Sequence, residues 1–224
     1  MKYIQKKRTG IGFSKLLKIH KAKGCYDDTK NDNSKTPKIT TRTDILKDLL
    51  DEQGNLCAYC MRSISLQNAD IEHFIGQGYV DNKNALGKVE DTNYDNMLAV
   101  CHGNFCRDET HCDSSRSTYQ EKRPLINISP LNKQQMNNIK FSQSGVIYYE
   151  NIDDETEISF DLNKVLNLNC QNIKNERKKL IKIIKSLLAK HKFDKKFAKK
   201  ELVYWEQCNK AYCQVVIFEL RKYI

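Results

Sequence analysis

The chain has 224 residues, 39% of them hydrophobic, and carries a formal net charge of +10 at neutral pH. This length suits one compact unit with appendages or two small units, and the hydrophobic content is enough for a core. No apolar run approaches the roughly 20 residues that span a bilayer, and the basic N-terminus lacks the apolar stretch of a secretory signal. We therefore expect a cytoplasmic protein without membrane contact.

The charge is unevenly distributed along the chain. Residues 1–48 have a net charge of +8, residues 49–170 of −8 and residues 171–200 of +10, whereas residues 201–224 are balanced. Basic flanks attract polyanions such as nucleic acid, although lysine-rich helix faces also occur as plain solvated surface. The pattern favours a metal site in the acidic middle, between two flanks that bind a polyanion.

The N-terminal quarter predicts two helices separated by a loop. Residues 1–24 predict a short strand or coil and then the basic helix FSKLLKIHKAKG, and residues 25–40 have the Asp, Asn, Thr and Lys content of a loop. The stretch TRTDILKDLLDEQG (41–54) predicts a second helix, with Thr43 as its N-cap and Gly54 as its stop.

The middle of the chain predicts a hairpin and irregular loops. NLCAYC (55–60) and ADIEHF (69–74) are joined by a polar turn region, which predicts a β-hairpin. A Gly- and Asn-rich loop follows at 76–92, and NMLAVC (96–101) predicts the start of a helix or a buried turn. Residues 102–118 are interpreted as an irregular insert that bears cysteines.

The C-terminal half predicts short β-structure followed by helices. Residues 119–145 predict loop, and GVIYYENI and TEISFDL alternate apolar and polar residues, which predicts a small β-hairpin. NIKNERKKLIKIIKSLLAKH (172–191) places an apolar stripe on one helix face, and a second long helix follows from about Asp194. We expect these two helices to form a helical hairpin.

Nine cysteines are present. The number is odd and a reducing compartment is expected, so we predict a zinc site rather than a disulfide framework. Four scattered cysteines, at positions 25, 170, 208 and 213, are interpreted as small apolar residues. The other five lie close together in the chain: Cys57, Cys60, Cys101, Cys106 and Cys112.

The motif Cys57-Ala-Tyr-Cys60 has the spacing of a zinc knuckle. Haem attachment requires His where Met61 stands, and a thioredoxin-like redox pair requires a βαβ setting that the pattern does not show. A two-Cys, two-His finger would take His73 as third ligand and needs a fourth His at 77–79, where none occurs. His73 is therefore free for another role.

The remaining zinc ligands must follow later in the chain. A structural zinc ion takes four ligands in a closed tetrahedron, and irregular loops that bury little apolar area need such a cross-link. The alternative is that the cysteines pack without metal. We predict a zinc site formed by Cys57, Cys60, Cys101 and Cys112, with Cys106 in reserve.

Taken together, these motifs resemble a known family. The knuckle, Glu72-His73, NMLAVC and Cys112-Asp113-x-x-Arg116 are similar in order to the ββα-metal motif of HNH endonucleases. More narrowly, LLDEQGNLCAYC, IEHF, NYDNMLAVCHGN, HCDSSR and VLNLNCQNIKNER resemble the PtuB-type HNH proteins of Septu anti-phage systems, which also occur beside retrons. The resemblance spans about residues 45–177.

The resemblance implies a role for each matching residue. His73 would be the general base that takes a proton from water, and Asn96 would support the loop and orient that base. Glu72 and Asp113 would bind a catalytic Mg²⁺ or Mn²⁺ through carboxylate oxygens. Adjacent residues of one strand would then reach the metal and the water.

The chain departs from the family pattern at two places. Glu72 replaces the Asp that is common in other HNH branches, which changes the reach to the metal by one methylene. The stretch between Cys101 and Cys112 is longer than the family's usual CxxC, so His111 or Asp108 is an alternative for the last motif position.

These residues favour a metal-dependent endonuclease that hydrolyses phosphodiester bonds of nucleic acid, with DNA favoured over RNA. A ribonuclease toxin that acts on tRNA would use the same site. A zinc-stabilised nucleic-acid-binding or adaptor module without catalysis is a third alternative, although binding alone does not need a Glu, a His and an Asn in this order. Residues expected to contact nucleic acid are Arg116, Lys178, Lys182 and Lys185.

The resemblance also implies partners. PtuB-type proteins act with PtuA, an ATPase of the ABC or SMC-like class, and a retron reverse transcriptase with its RNA and DNA is a further implied partner. The chain has no GxxxxGK[ST] phosphate-binding loop, so a nucleotide switch would lie on another chain.

The predicted architecture is α+β, with a zinc-stapled ββα-metal (HNH, treble-clef-like) core, flanking helices and a C-terminal helical hairpin. Residues 1–48 would form a basic helical arm and residues 49–120 the HNH nuclease core. Residues 121–170 would supply connecting loops and the small β-hairpin. Residues 171–224 would form a basic helical hairpin that docks nucleic acid or a partner protein.

Overall fold

The computed structural model describes residues 1–30, 40–80, 86–104, 109–119, 126–150 and 155–224, which form an α+β structure with two small antiparallel sheets. The strands are β1 (Ala69–His73), β2 (Met97–Cys101), β3 (Ile139–Phe141) and β4 (Ile147–Tyr149). The helices are α1 (Ile11–Lys21), α2 (Thr41–Gln53), α3 (Leu86–Val89), α4 (Cys112–Tyr119), α5 (Lys133–Asn137), α6 (Glu155–Phe160), α7 (Gln171–Lys190), α8 (Lys195–Gln207) and α9 (Cys213–Arg221). None of the helices in the described part of the chain combines the length and apolar character needed to cross a bilayer.

The N-cap of helix α2 lies three residues before the predicted cap. The side chain of Thr40 accepts a hydrogen bond from the Thr43 backbone N–H at 3.2 Å, so Thr40 is the N-cap and the prediction of Thr43 is wrong. The predicted stop is confirmed, because Gly54 adopts the left-handed conformation (φ 66°) that ends many helices. The helix buries Ile45 and Leu49 completely.

The first sheet pairs β1 with β2 rather than with the cysteine knuckle. The antiparallel register runs from Ala69 opposite Cys101 to His73 opposite Met97. The predicted hairpin of NLCAYC with ADIEHF is therefore wrong, and so is a helix or turn at NMLAVC. All five residues of β2 are buried, and α2 and α4 both contact this strand. A continuous apolar run fits a strand that is covered on both faces.

The second sheet pairs β3 with β4. GVIYYENI contributes β4, but TEISFDL forms α6 and a π-helical turn (Asp161–Val165) instead of the predicted partner strand. Ile158 and Leu162 are buried whereas Phe160 is 39% exposed, so the buried positions follow the i, i+4 spacing of a helix.

The predicted C-terminal hairpin consists of three helices. Helix α7 runs as expected, but the second helix ends at Gln207, and the left-handed residue Tyr212 (φ 58°) precedes α9. Helix α9 contacts both α7 and α8. These helices share a buried apolar cluster formed by Ile184, Leu188, Ala198, Val216 and Leu220.

Candidate metal centre and active site

Four buried cysteines meet at the junction of the first sheet with α2 and α4. Cys57 and Cys60 lie in the turn after α2, Cys101 ends β2 and Cys112 begins α4. Their sulfur atoms all lie within 4.8 Å of one another. Such a group can hold a structural metal ion such as zinc, and these are the four cysteines named from the sequence. Cys106, the reserve ligand, lies outside the described residues.

The spacing of the sulfurs suits zinc. The Sγ atoms of Cys57 and Cys112 are 3.9 Å apart, and those of Cys60 and Cys101 are 3.6 Å apart. Zinc–sulfur bonds of about 2.3 Å in a tetrahedron place sulfurs about 3.8 Å apart. A disulfide would require about 2.0 Å, so the cluster has the dimensions of a tetrathiolate site rather than of cystines.

A tight turn at the knuckle aims two sulfurs at one point. The backbone N–H of Met61 donates to the carbonyl of Cys57 at 3.0 Å, and Met61 takes a left-handed φ of 65°. The N–H of Ala58 donates to the carbonyl of Ala99 at 3.1 Å, which fastens the knuckle to β2. The N–H of Cys101 donates to the Cys57 sulfur at 3.4 Å, a contact that stabilises negative charge on sulfur.

A backbone clasp explains how Cys112 reaches Cys101 across a long insert. The N–H of His111 donates to the carbonyl of Gly103 at 2.9 Å. Gly103 has φ 74°, and a Cβ atom there would lie 1.5 Å from the His111 carbonyl oxygen, so only glycine permits this approach. The clasp closes the insert at its base, which gives the last two cysteines the proximity that a short CxxC provides elsewhere.

His111 faces the cysteines rather than β1. Its Nδ1 atom lies 3.3 Å from the Cys112 sulfur and 3.9 Å from the Cys101 sulfur, and the side chain is 1% exposed. Its alternative role at the last motif position is therefore not supported by its location. Asp108, the other alternative, lies outside the described residues.

A buried arginine matches the charge of a tetrathiolate centre. Arg177 is 2% exposed and lines the same small cavity as Cys60. Its guanidinium donates to the carbonyls of Gly145, at 2.8 Å, and Leu168. Among the described residues no carboxylate pairs with it. Four thiolates around Zn²⁺ leave a net charge of −2, and a buried cation needs a nearby negative charge, so the donor set and its surroundings fit zinc.

The imidazole of His73 is held in one tautomer. It ends β1, is 8% exposed, and its Nε2 atom lies 2.9 Å from the carbonyl oxygen of Asp91. Because a carbonyl only accepts, Nε2 carries the proton and Nδ1 keeps a lone pair in the neutral ring. Burial lowers the pKa of His73, partly offset by the Asp91 carbonyl and carboxylate. The ring therefore stays neutral at neutral pH.

An aromatic ring from the N-terminal region covers one side of His73. The Tyr26 ring lies edge-on to the imidazole, with centroids 4.5 Å apart. Arg42 lies over the Tyr26 ring at 4.1 Å. The short 3-10 turn Tyr26–Thr29 thereby contributes to the low exposure of His73.

Asn96 holds together the two ends of the loop beside His73. Its Oδ1 accepts from the Ile75 N–H at 2.7 Å, and its Nδ2 donates to the carbonyls of Ile75 at 3.0 Å and Glu90 at 3.1 Å. These contacts flank residues 73 and 91, whose own hydrogen bond positions the imidazole. Asn96 thus connects the backbone on the two sides of the hydrogen bond between His73 and Asp91.

Glu72 does not share a site with His73. Adjacent strand residues point to opposite faces, and Glu72 forms an ion pair with Arg116 and lies 3.4 Å from the Tyr59 hydroxyl. The expectation that these two neighbours serve one metal and one water from a single strand is therefore not met by this geometry.

Arg116 is buried rather than available to nucleic acid. It is 3% exposed and also donates to the Tyr59 hydroxyl at 2.8 Å and to the Phe74 carbonyl at 2.6 Å. This position contradicts the predicted contact with nucleic acid, because a guanidinium with these partners cannot reach a phosphate outside. Its observed contacts join α4 to β1 and the knuckle.

Asp113 lies in an acidic corner that the sequence did not predict. Burial raises the pKa of its carboxyl, and the negative charge of Asp70 raises it further, while His102 acts in the opposite direction. Asp70 and His102 are themselves paired, with Oδ2 and Nε2 3.1 Å apart. Asp70 shares the face of β1 with Glu72. The sequence could have indicated Asp70, because residues two apart in a strand lie on the same face and Asp70 is two residues before Glu72.

The remaining predicted contacts with nucleic acid lie on α7. Lys178 and Lys182 are exposed, as expected. The ammonium group of Lys185 instead lies 3.7 Å from the buried carboxylate of Glu219, so this lysine forms an ion pair within the protein.

Comparison with known proteins identifies no family for this chain. The chain matches no protein-family model and is similar to no curated protein at a significant level. The structure supports an α+β chain with a four-cysteine group that can hold a structural metal such as zinc.

Proposed function

We propose that this chain is a metal-dependent HNH endonuclease that hydrolyses phosphodiester bonds of nucleic acid. The observation that carries the proposal is His73, a buried neutral imidazole whose Nε2–H is engaged by the Asp91 carbonyl at 2.9 Å. That engagement leaves Nδ1 as the basic atom. The order of the cysteines, His73, Asn96 and Asp113 along the chain adds support from the resemblance.

In the proposed reaction, Nδ1 of His73 takes a proton from a water molecule as the water oxygen attacks phosphorus. The bond from phosphorus to the leaving oxygen breaks, and that oxygen gains a proton from solvent. The Asp91 carbonyl stabilises the imidazolium that forms, because it accepts the Nε2–H more strongly when the ring is charged. Asn96 keeps the backbone around this hydrogen bond in place.

The resemblance assigns a catalytic divalent cation to Glu72 and Asp113, whose oxygen atoms suit Mg²⁺ or Mn²⁺. Glu72, however, points to the face of β1 opposite His73 and is paired with Arg116, so it does not fit that role in this geometry. Such an ion, when bound, supplies positive charge to the scissile phosphate and the leaving oxygen. Asp113 is the better placed of the two, since Asp70 lies beside it and Glu72 is engaged by Arg116. The only group of three or more metal-binding side chains within 4.8 Å among the described residues is the cysteine cluster.

The test is metal-dependent cleavage by the purified chain. We would offer plasmid DNA, single-stranded DNA and total tRNA with Mg²⁺ or Mn²⁺. His73→Ala should lower the rate by about 10²- to 10⁴-fold, the usual contribution of a general base. His20→Ala is the matched control, because His20 is exposed and its Nδ1 atom pairs with the Thr92 hydroxyl, and it should stay within about threefold of wild type.

Each outcome of this assay decides between functions. Undiminished cleavage by His73→Ala would contradict the proposal. Cleavage confined to tRNA would favour the ribonuclease toxin. The alternative of a zinc-stabilised binding or adaptor module draws on one observation, the engagement of Glu72 by Arg116. It predicts that nothing is cleaved although the chain binds nucleic acid.

The proposal includes an effector role in anti-phage defence beside a PtuA-type ATPase, with a retron reverse transcriptase as a further partner. It is supported only by the resemblance and by the lack of a phosphate-binding loop in this chain. Adding the ATPase and ATP to the cleavage assay tests it. A nuclease that is restrained by the ATPase should change its rate when ATP is hydrolysed, and a rate indifferent to the ATPase would contradict this part.

A further inference from the structure

The turn between α7 and α8 concentrates positive charge. We call residues 190–200, KHKFDKKFAKK, the tip segment; all of its residues are exposed except Phe197 and Ala198. It contains one acidic residue, Asp194. Its lysines are Lys190, Lys192, Lys195, Lys196, Lys199 and Lys200.

These lysines have no acidic partner within the described chain, in contrast to Lys185 with Glu219. The carboxylate of Asp194 accepts a hydrogen bond from the Phe197 N–H at 2.7 Å, so it caps α8. The first turn of α8 has no acidic residue and begins with Lys195 and Lys196.

This arrangement of charge works against the helix itself. Cations at a helix N-terminus oppose the macrodipole, and like charges four residues apart repel, as Lys195 and Lys199 do. Helix stability therefore does not explain the lysines. A polyanion bound at this surface would remove the repulsion.

The backbone of the turn presents an aromatic ring to solvent. Lys192 and Phe193 both take the left-handed conformation, with φ of 52° and 54°, which costs energy for residues other than glycine. Phe193 is 48% exposed, and one face of its ring stacks on Tyr223 with centroids 5.4 Å apart. Since about half of the side chain is exposed, part of the ring is accessible to a ligand.

We infer that the tip segment binds a nucleic-acid strand with unpaired bases. Its lysines would neutralise phosphates, and the accessible part of the Phe193 ring would stack against a base, which a continuous duplex does not expose. The inference rests on the proposed function where it takes this strand to be the substrate. It adds a substrate class, single-stranded or locally unpaired nucleic acid, and a site distinct from Lys178 and Lys182.

The role of the tip-segment lysines is tested by equilibrium binding of nucleic acid to His73→Ala protein, in which cleavage does not interfere. The probe is a short fluorescein-labelled single strand of mixed sequence, followed by anisotropy from about 0.05 to 0.2 M KCl. Lys196→Glu/Lys199→Glu should weaken binding by at least about tenfold and reduce the slope of log K against log salt by about two. The matched control Lys133→Glu/Lys164→Glu changes the same charge at exposed lysines elsewhere and should have less than half that effect on the slope.

The ring is tested separately with Phe193→Leu, which keeps an apolar side chain against Tyr223 but removes the aromatic face. It should weaken binding of the single strand by about five- to 100-fold and leave binding of the matching duplex nearly unchanged. Circular dichroism of each variant would verify that the helices persist.

Several results would overturn the inference. These are equal losses in the two double variants, no effect of Phe193→Leu, or binding to vesicles of anionic phospholipid without binding to nucleic acid. Failure of the proposed function is separable, because wild type that cleaves nothing but binds through the tip segment rejects the nuclease alone. If wild type cleaves nucleic acid but the tip-segment variants bind the single strand as wild type does, the tip-segment site is rejected and the nuclease function is retained.

Discussion

The cysteine region, residues 55–119, and the three C-terminal helices are held together by different means. In the cysteine region, short strands and irregular loops converge on four sulfurs that come from three separate parts of the sequence. In the C-terminal helices, the last part of the α7 apolar stripe, Ile184 and Leu188, packs with buried residues of α8 and α9. A region with little periodic apolar surface depends on a cross-link such as a bound metal ion. A long amphipathic helix is instead stabilised by burying its apolar face.

Removal of the metal should have the largest effect, and only in the cysteine region. Cys112→Ser should reduce bound zinc from about one ion per chain to none and unfold residues around β1, β2 and α4, since structural zinc contributes about 10–16 kcal/mol in small zinc domains. Metal analysis and amide hydrogen exchange would measure both effects. Cys25→Ser changes an exposed cysteine outside the cluster and should retain zinc and protection.

The same measurement tests the identity of the ligands. Cys106→Ser should keep a full complement of zinc. Loss of zinc in this variant, with zinc retained in Cys112→Ser, would contradict the assignment of Cys112.

A cavity in the C-terminal helices should have a smaller effect and leave the metal in place. Leu188 is fully buried, so Leu188→Ala should lower the free energy of unfolding by about 2–5 kcal/mol through lost burial and a residual cavity. Ile183→Ala, on the same helix but 51% exposed, should cost less than about 1 kcal/mol. Urea denaturation of both variants at saturating zinc would test this, and equal losses would contradict the burial of the α7 stripe.

The smallest predicted effect is a pH dependence within the cysteine region. Burial holds the pKa of folded His73 below its ordinary value of 6.5. As pH falls through that value, the unfolded chain binds a proton before the folded chain does. His73 therefore contributes stability above about pH 6.5 that is lost at lower pH, with a slope of at most about 1.4 kcal/mol per pH unit.

Denaturation of wild type and His73→Gln between about pH 5 and pH 8 would measure this slope. The variant should have a flatter profile than wild type, because it lacks the buried imidazole. Identical profiles for wild type and His73→Gln would show that His73 is not buried in its neutral form.

Local patterns were sufficient for the helices with strong signals. The apolar stripe of α7 and the Gly54 stop of α2 follow from side-chain spacing and from the conformational freedom of glycine. The four clustered cysteines were also predictable, because thiols at knuckle spacing favour one shared ion.

The pairing of strands and the contacts of buried charges depended on tertiary structure. β1 pairs with β2, 24 residues later at the nearest ends, because the apolar run 97–101 needs cover on both faces, which no local pattern specifies. Arg116 resembled a surface cation in the sequence, yet its partners Glu72 and Tyr59 come from distant segments.

Residue types and spacing thus predicted the four cysteines that can hold a metal, the candidate base and the long helices of this chain. Strand alternation and chain folding then separated Glu72 from His73, brought Asp70 and His102 beside Asp113, and placed Phe193 with the tip lysines at an exposed turn. The physical reason is sequence separation, since helix periodicity and the spacing of thiols depend only on residues a few positions apart. The direction and pairing of a side chain depend on elements that fold back from far along the chain.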